Sequence, residues 1–278
     1  VPIPQRFVKM SGGGNDFLVF EADGRSLSEG DRDRVALLCR RGLSVGADGA
    51  LFLSGGENSR IHLDYFNADG GLASFCANGT RCAARYAVSR RLVSGNDVVL
   101  ETGWGVIAAR VDGETVSLAL PPLPLPGDPI AISGVGLPAT ATPMHVGVPH
   151  LVVLMDSRRD LAALDVATLG PPLRRHPLLP EGANVNFVRV IGPDRIAVRT
   201  FERGVEDETL ACGSGTVASA VVAARSGAVT APVVCETKSG AAFVVEFVDR
   251  DGGISGAVLR GDAREIFTAE LTEEAWQP

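Results

Sequence analysis

The sequence predicts an α+β protein of two pseudosymmetric domains, each a strongly curved, mostly antiparallel sheet around a central helix. Three observations predict it: an internal repeat, a run of small residues in each copy, and a proline-rich link between the copies. Residues 61–66 read Ile-His-Leu-Asp-Tyr-Phe and return at 196–201 as Ile-Ala-Val-Arg-Thr-Phe. Cys76-Ala-Asn-Gly-Thr80 returns as Cys212-Gly-Ser-Gly-Thr216, and Val98-Val-Leu-Glu-Thr102 as Val233-Val-Cys-Glu-Thr237. The offsets are 135, 136 and 135, so one unit occurs twice with small local changes of length.

Each copy has the same grammar. Phe17-Leu-Val-Phe20 reads as strand, and Val35-Ala-Leu-Leu-Cys39 follows as a helical core pattern. An alternating strand then runs into a polar loop, a cysteine, a run of small residues and further strands. The runs Thr80–Val88 and Thr216–Ala224 predict helices, with Gly95 and Gly227 as their C-terminal stops. The second run carries a charge only at Arg225, so it should be buried all round, and its Ala and Ser residues let strands approach closely. Asp112-Gly113 and Asp251-Gly252 are hairpin-turn signals at matching places. Pro121-Pro-Leu-Pro-Leu-Pro126 divides a domain of residues 1–120, to which the tail 263–278 is expected to return, from one of residues 121–262.

Composition excludes several classes. The net charge of −7 argues against a duplex nucleic-acid binder, and no stretch approaches the ~20 apolar residues of a membrane span. The first residues hold no apolar signal core, so a cytoplasmic protein is expected. Five cysteines, an odd number in a chain of this length, favour reduced thiols over a disulfide framework. With no CxxC pair and four scattered histidines, no metal site is expected.

Cys76 and Cys212 are the candidates for chemistry. Each precedes a helical run, where unpaired amides and the positive end of the helix dipole favour thiolate and lower the thiol pKa from about 8.5. The Ala-Asn-Gly and Gly-Ser-Gly that follow let backbone amides converge on an anion such as a carboxylate. Inverting a carbon centre needs one group to remove a proton and another to deliver one to the opposite face, which two equivalent thiols can do in either direction. Cys39, Cys82 and Cys235 read as packing residues.

Together, Phe7-Val-Lys-Met-Ser-Gly-Gly-Gly-Asn-Asp-Phe17, Tyr65-Phe-Asn-Ala-Asp-Gly70, Cys76-Ala-Asn-Gly-Thr-Arg-Cys82 and Phe201-Glu-Arg-Gly204 followed by Ala211-Cys-Gly-Ser-Gly215 resemble the diaminopimelate epimerase family, in its order and across nearly the whole chain. The resemblance implies a cofactor-independent, PLP-free epimerase interconverting LL- and meso-diaminopimelate, with the active site between two domains. It implies catalytic roles for Cys76 and Cys212, with His150 and Glu202 assisting their protonation state. It further implies substrate contacts by Asn15, Asn67, Asn78, Asn184, Glu202 and Arg203, and by the backbone around Ala77, Gly79, Gly213 and Ser214. Arg203 suits a bidentate grip on a distal carboxylate. The oligomeric state is left open, a homodimer being one option.

The chain departs from the family pattern in places. Ser11-Gly12 stands for the common His-Gly, Cys76-Ala for Cys-Gly, Val148 for an Asn, and Gly49 for a Gln of some members, while Val205–Thr209 is one residue longer. Val148 cannot replace an amide's hydrogen bonds, so the far end of the substrate is where the resemblance constrains least. A racemase of another amino acid, such as histidine, and a non-catalytic amino-acid-binding protein are the competing readings.

Overall fold

The computed structural model describes residues 3–22, 29–55, 60–134, 136–250 and 253–277. The chain divides into two compact units, Val1–Leu118 with Gly261–Pro278, and Ala119–Arg260. In the first unit the elements are β1 (Arg6–Gly12), β2 (Asn15–Glu21), α1 (Glu29–Cys39), β3 (Gly49–Gly55), β4 (Arg60–Asn67), β5 (Leu72–Ala73), α2 (Ala77–Ser89), β6 (Asp97–Thr102), β7 (Gly105–Asp112) and β8 (Thr115–Leu120). The second begins with the short β9 (Ile130–Ala131) and repeats the series: β10 (Thr140–Val146), β11 (Val148–Leu154), α3 (Val166–Arg174), β12 (Asn184–Gly192), β13 (Arg195–Glu202), β14 (Asp207–Thr209), α4 (Gly213–Arg225), β15 (Val233–Thr237), β16 (Ala242–Arg250) and β17 (Gly253–Asp262). The tail returns to the first unit as β18 (Arg264–Glu270), antiparallel to β1.

The strand pairings repeat as closely as the order. β1–β2 is antiparallel, β2–β3 parallel, β3–β4 and β4–β5 antiparallel, β4–β6 parallel and β6–β7 antiparallel. β10–β11, β11–β12, β12–β13, β13–β14, β13–β15 and β15–β16 run through the same senses. The registers agree with the sequence repeat: Ile61 pairs with Leu100, and Ile196 with Cys235.

Both faces of the inner strands are buried, because the pleat sends alternate residues to two different layers. On one face of the first sheet, Leu18, Phe20, Ala50, Phe52 and Phe66 pack with Val35 and Leu38 of α1. On the matching face of the second, Leu151, Val153, Val185, Phe187 and Phe201 pack with Val166 and Leu173 of α3. The other face of each sheet wraps a central helix. α2 packs against β1, β2, β3, β4, β6, β7 and β18, and α4 against β10, β11, β12, β13, β15 and β16. Most of α4 is buried on every side, which its Gly, Ala, Ser and Val side chains permit. Each buried aliphatic side chain contributes about 1.5–3 kcal/mol.

The two central helices end differently. Gly227, in the left-handed region at φ 78°, closes α4, with the Ala228 amide reaching back to the Ala223 carbonyl. The sequence points to Gly95 for α2, but Arg91 does the work there at φ 58°, with the Leu92 amide bonded to the Ala87 carbonyl. The capping geometry outweighs glycine's preference, because two backbone bonds offset the cost of a Cβ in that region. Gly113 turns the chain between β7 and β8 at φ 60°, whereas the Asp251-Gly252 signal lies outside the described residues. No described helix is long and apolar enough to cross a membrane.

Candidate active site

Cys76 and Cys212 are the N-cap residues of α2 and α4, both with extended backbone (φ −141°, ψ 111° and φ −122°, ψ 111°). At this position the chain is not yet helical, so the side chain can turn toward the unpaired amides of the first turn. The Thr80 and Thr216 hydroxyls fix the two turns identically, each donating to the carbonyl of its cysteine at 2.8 Å.

Around Cys76, the Gly79 amide donates to Sγ at 3.5 Å. Asn78, next in the turn, donates to Asn15 Oδ1 at 2.7 Å and accepts from Arg81 at 2.8 Å. Asn15 in turn donates to Asp48 at 2.9 Å. Arg81 is wholly buried, and its guanidinium also donates to the Asp262 carbonyl at 3.1 Å, which ties the start of α2 to the end of β17. That burial pulls its pKa down. Sequence patterning offers no sign of this Arg, which reads as an ordinary helix-surface charge. Asp48 joins Asp16, Arg41 and Lys9 in a network behind Asn15. Burial alone would raise the Asp16 carboxyl, but hydrogen bonds from Arg41 and Lys9 bring it down to about 2.

Around Cys212, Sγ lies 3.6 Å from Ser214 Oγ and 3.9 Å from Asn184 Nδ2. The Asn184 amide is oriented by Arg203, whose backbone N–H donates to its Oδ1 at 2.8 Å. Arg203 also donates from its guanidinium to the Glu181 carbonyl at 3.0 Å. His150 is wholly buried on β11, directly across from Asn184 on β12. Its Nδ1 meets Asn186 Nδ2 at 3.2 Å, while Nε2 has no partner among the described residues. Burial, with smaller contributions from His145 and Arg203, holds the imidazole at about 3, so it is neutral. Asn186 escaped the sequence reading because an Asn in the alternating Asn184-Val-Asn-Phe-Val188 looks like any strand residue.

Of the remaining expected residues, Glu202 ends β13 beside the Phe201–Val185 pair. Asn67 is exposed, and its backbone closes a turn to Gly70. Val148 opens β11 half-buried. Gly49 is required by a close approach, since a Cβ there would overlap the Phe66 carbonyl and the Tyr65 ring. Burial pushes the thiols of Cys39 and Cys82 up to about 12 and raises that of Cys235 further, which leaves them inert. Among the described residues no cluster of His, Cys, Asp or Glu could hold a metal ion.

The diaminopimelate epimerase family model matches residues 7–119 and 143–265. The chain belongs to the diaminopimelate epimerase family. Similar members include a diaminopimelate epimerase of Chlorobaculum tepidum, 38% identical over 95% of this chain and 100% of that one. Another, from Aquifex aeolicus, is 36% identical over 96% and 98%. The family's fold extends further than its sequence. A hydroxyproline epimerase from Agrobacterium vitis superposes with TM-score 0.70 at 15% identity, covering 98% of this chain and 92% of that one. A PhzF-family phenazine biosynthesis protein of Enterococcus faecalis gives 0.71 at 17%, covering 96% and 98%.

Proposed function

We propose that this chain is a PLP-independent isomerase that interconverts LL- and meso-diaminopimelate, with Cys76 and Cys212 as its two proton-transfer groups. The observation that carries the reading is the pair of cysteines at the N-caps of α2 and α4, matching elements of a repeated fold. Relatives that share more than a third of their residues with it, end to end, bear the name diaminopimelate epimerase. One thiolate removes the α-proton and the other thiol returns a proton to the opposite face; reversing the direction exchanges their roles. The first-turn amides at Ala77, Asn78 and Gly79, and at Gly213 and Ser214, suit the α-carboxylate. Asn15, Asn67 and Asn184 supply polar groups to the substrate, and Arg203 grips the distal carboxylate. His150 and Glu202 assist the thiols. Each compact unit acts as one epimerase domain supplying one cysteine, and the reaction, part of lysine and peptidoglycan precursor synthesis, takes place in the cytoplasm.

The test is α-carbon exchange in heavy water with no cofactor added. LL-Diaminopimelate should gain one deuterium per inversion. Exchange of another amino acid with none of diaminopimelate would refute the substrate assignment, while tight binding without any exchange would refute the enzyme.

A further inference from the structure

Three residues on three neighbouring strands of the second unit form one hydrogen-bonded line beneath the start of α4. Thr200 Oγ1 donates to Asn186 Oδ1 at 2.9 Å, and Asn186 Nδ2 reaches His150 Nδ1 at 3.2 Å. All three side chains are buried. Gly215, in the first turn of α4, closes over the line: a Cβ there would overlap Asn186 Oδ1. The orientation of the Asn186 amide follows from a third contact: its Nδ2 also faces the Asn184 carbonyl at 3.5 Å, where only an NH2 can donate and an oxygen would be repelled, so the oxygen takes the Thr200 proton and the NH2 points to His150. His150 Nδ1 is thereby an acceptor, and a neutral imidazole with a bare Nδ1 carries its proton on Nε2.

The first unit is the internal control. Phe17 pairs with Gly49 as His150 pairs with Asn184, and Leu51 pairs with Tyr65 as Asn186 pairs with Thr200. The positions of His150, Asn186 and Thr200 are thus held there by Phe17, Leu51 and Tyr65. In that trio Phe17 lies edge-on to the Tyr65 ring at 6.0 Å, and Leu51 packs against Gly79, the counterpart of Gly215. Phe and Leu at two of the three positions satisfy this fold, so a buried polar line at the same place, with an Nε2 that has no partner among the described residues, points to chemistry.

We infer that Asn186, locked by Thr200, is a positioning residue that fixes His150 as the Nε2–H tautomer, making the imidazole a hydrogen-bond donor to the reacting groups and not a base. This rests on the epimerase reading for what the donor serves, but the tautomer itself can be measured without turnover. In the full chain labelled with 15N-histidine, His150 should show a protonated Nε2 and a bare Nδ1, unchanged from about pH 5 to 8. In Asn186→Asp the carboxylate accepts, so the proton should move to Nδ1 and kcat for diaminopimelate fall about 100-fold, with KM changed far less. Asn186→Leu, which installs the residue of the matching position, should fold with a lowered Tm, because His150 and Thr200 lose their buried partner, leave the tautomer unfixed and lose activity similarly. Thr200→Val should give a smaller loss of the same kind. A wild-type His150 protonated on Nδ1, or Asn186→Asp and Asn186→Leu with normal kcat, would overturn the inference. If wild-type protein fails to exchange diaminopimelate, the epimerase reading falls, and the nitrogen shifts still decide the tautomer.

Discussion

Beneath the first turn of α2 the sheet offers Phe17, Leu51 and Tyr65; beneath the first turn of α4 the same three positions hold His150, Asn186 and Thr200. The backbones match pairing for pairing, and both helices are capped by cysteine. The surroundings do not match. Cys76 is half-buried and takes a backbone amide, whereas Cys212 is buried and meets two side chains, Asn184 and Ser214. A duplicated scaffold thus supplies two equivalent thiol positions, and the residues around each make them chemically distinct.

The largest expected effect tests the equivalence of the thiols. Cys76→Ala and Cys212→Ala should each lower epimerisation by about a thousandfold or more, since in the proposed mechanism each removes a proton-transfer group. Steady-state turnover of LL-diaminopimelate measures it, and near-normal turnover in either variant would end the two-thiol mechanism. Next, Leu51→Asn asks whether the first unit tolerates the second unit's chemistry. With Phe17 where His150 stands in the second unit, the amide lacks that partner, and urea unfolding should show a loss of about 3–5 kcal/mol.

Glycines at the two helix starts give a finer contrast. Gly215→Ala drives a Cβ into the Asn186 amide and should cost about 2–3 kcal/mol together with activity. Gly79→Ala meets the flexible tip of Leu51 at 3.0 Å and the Phe17 ring in ordinary contact at 3.5 Å, and should cost about 1 kcal/mol or less. Equal losses in thermal unfolding would show that the two floors are equally rigid.

Acid stability separates the floors most subtly. His150 in the folded chain stays neutral down to about 3 against an ordinary value of 6.5. The unfolded chain therefore binds the extra proton in that window, and stability is lost as pH falls through it, by at most about 1.4 kcal/mol per unit. His150→Phe, which installs the residue of the first unit, should flatten that slope while lowering stability at neutral pH, because Asn186 loses its partner. Unfolding midpoints between about pH 4 and 7 check this, and an unchanged slope would mean that His150 takes up its proton in the native state.

Much of this was legible in the chain. Matching Cys-x-x-Gly-Thr segments ahead of small-residue runs announce two helix starts because capping is local, depending on a few consecutive residues. The repeat announces two copies of one topology, since similar hydrophobic patterns bury similar faces. Arg91 was missed as the stop of α2 because capping hydrogen bonds, and not glycine content, decide where a helix ends. Arg81 was missed because its burial depends on carbonyls such as that of Asp262, far along the chain.

By itself, then, the sequence determined the duplicated fold and the pair of cysteines, both written in local pattern and periodicity. Only the tertiary structure decided what lies under each thiol helix. Residues 150, 186 and 200 come from separate strands, and nothing in their local context links them. Strand register brings them into one line, and the register is set by burial of the alternate residues on the opposite face of the sheet.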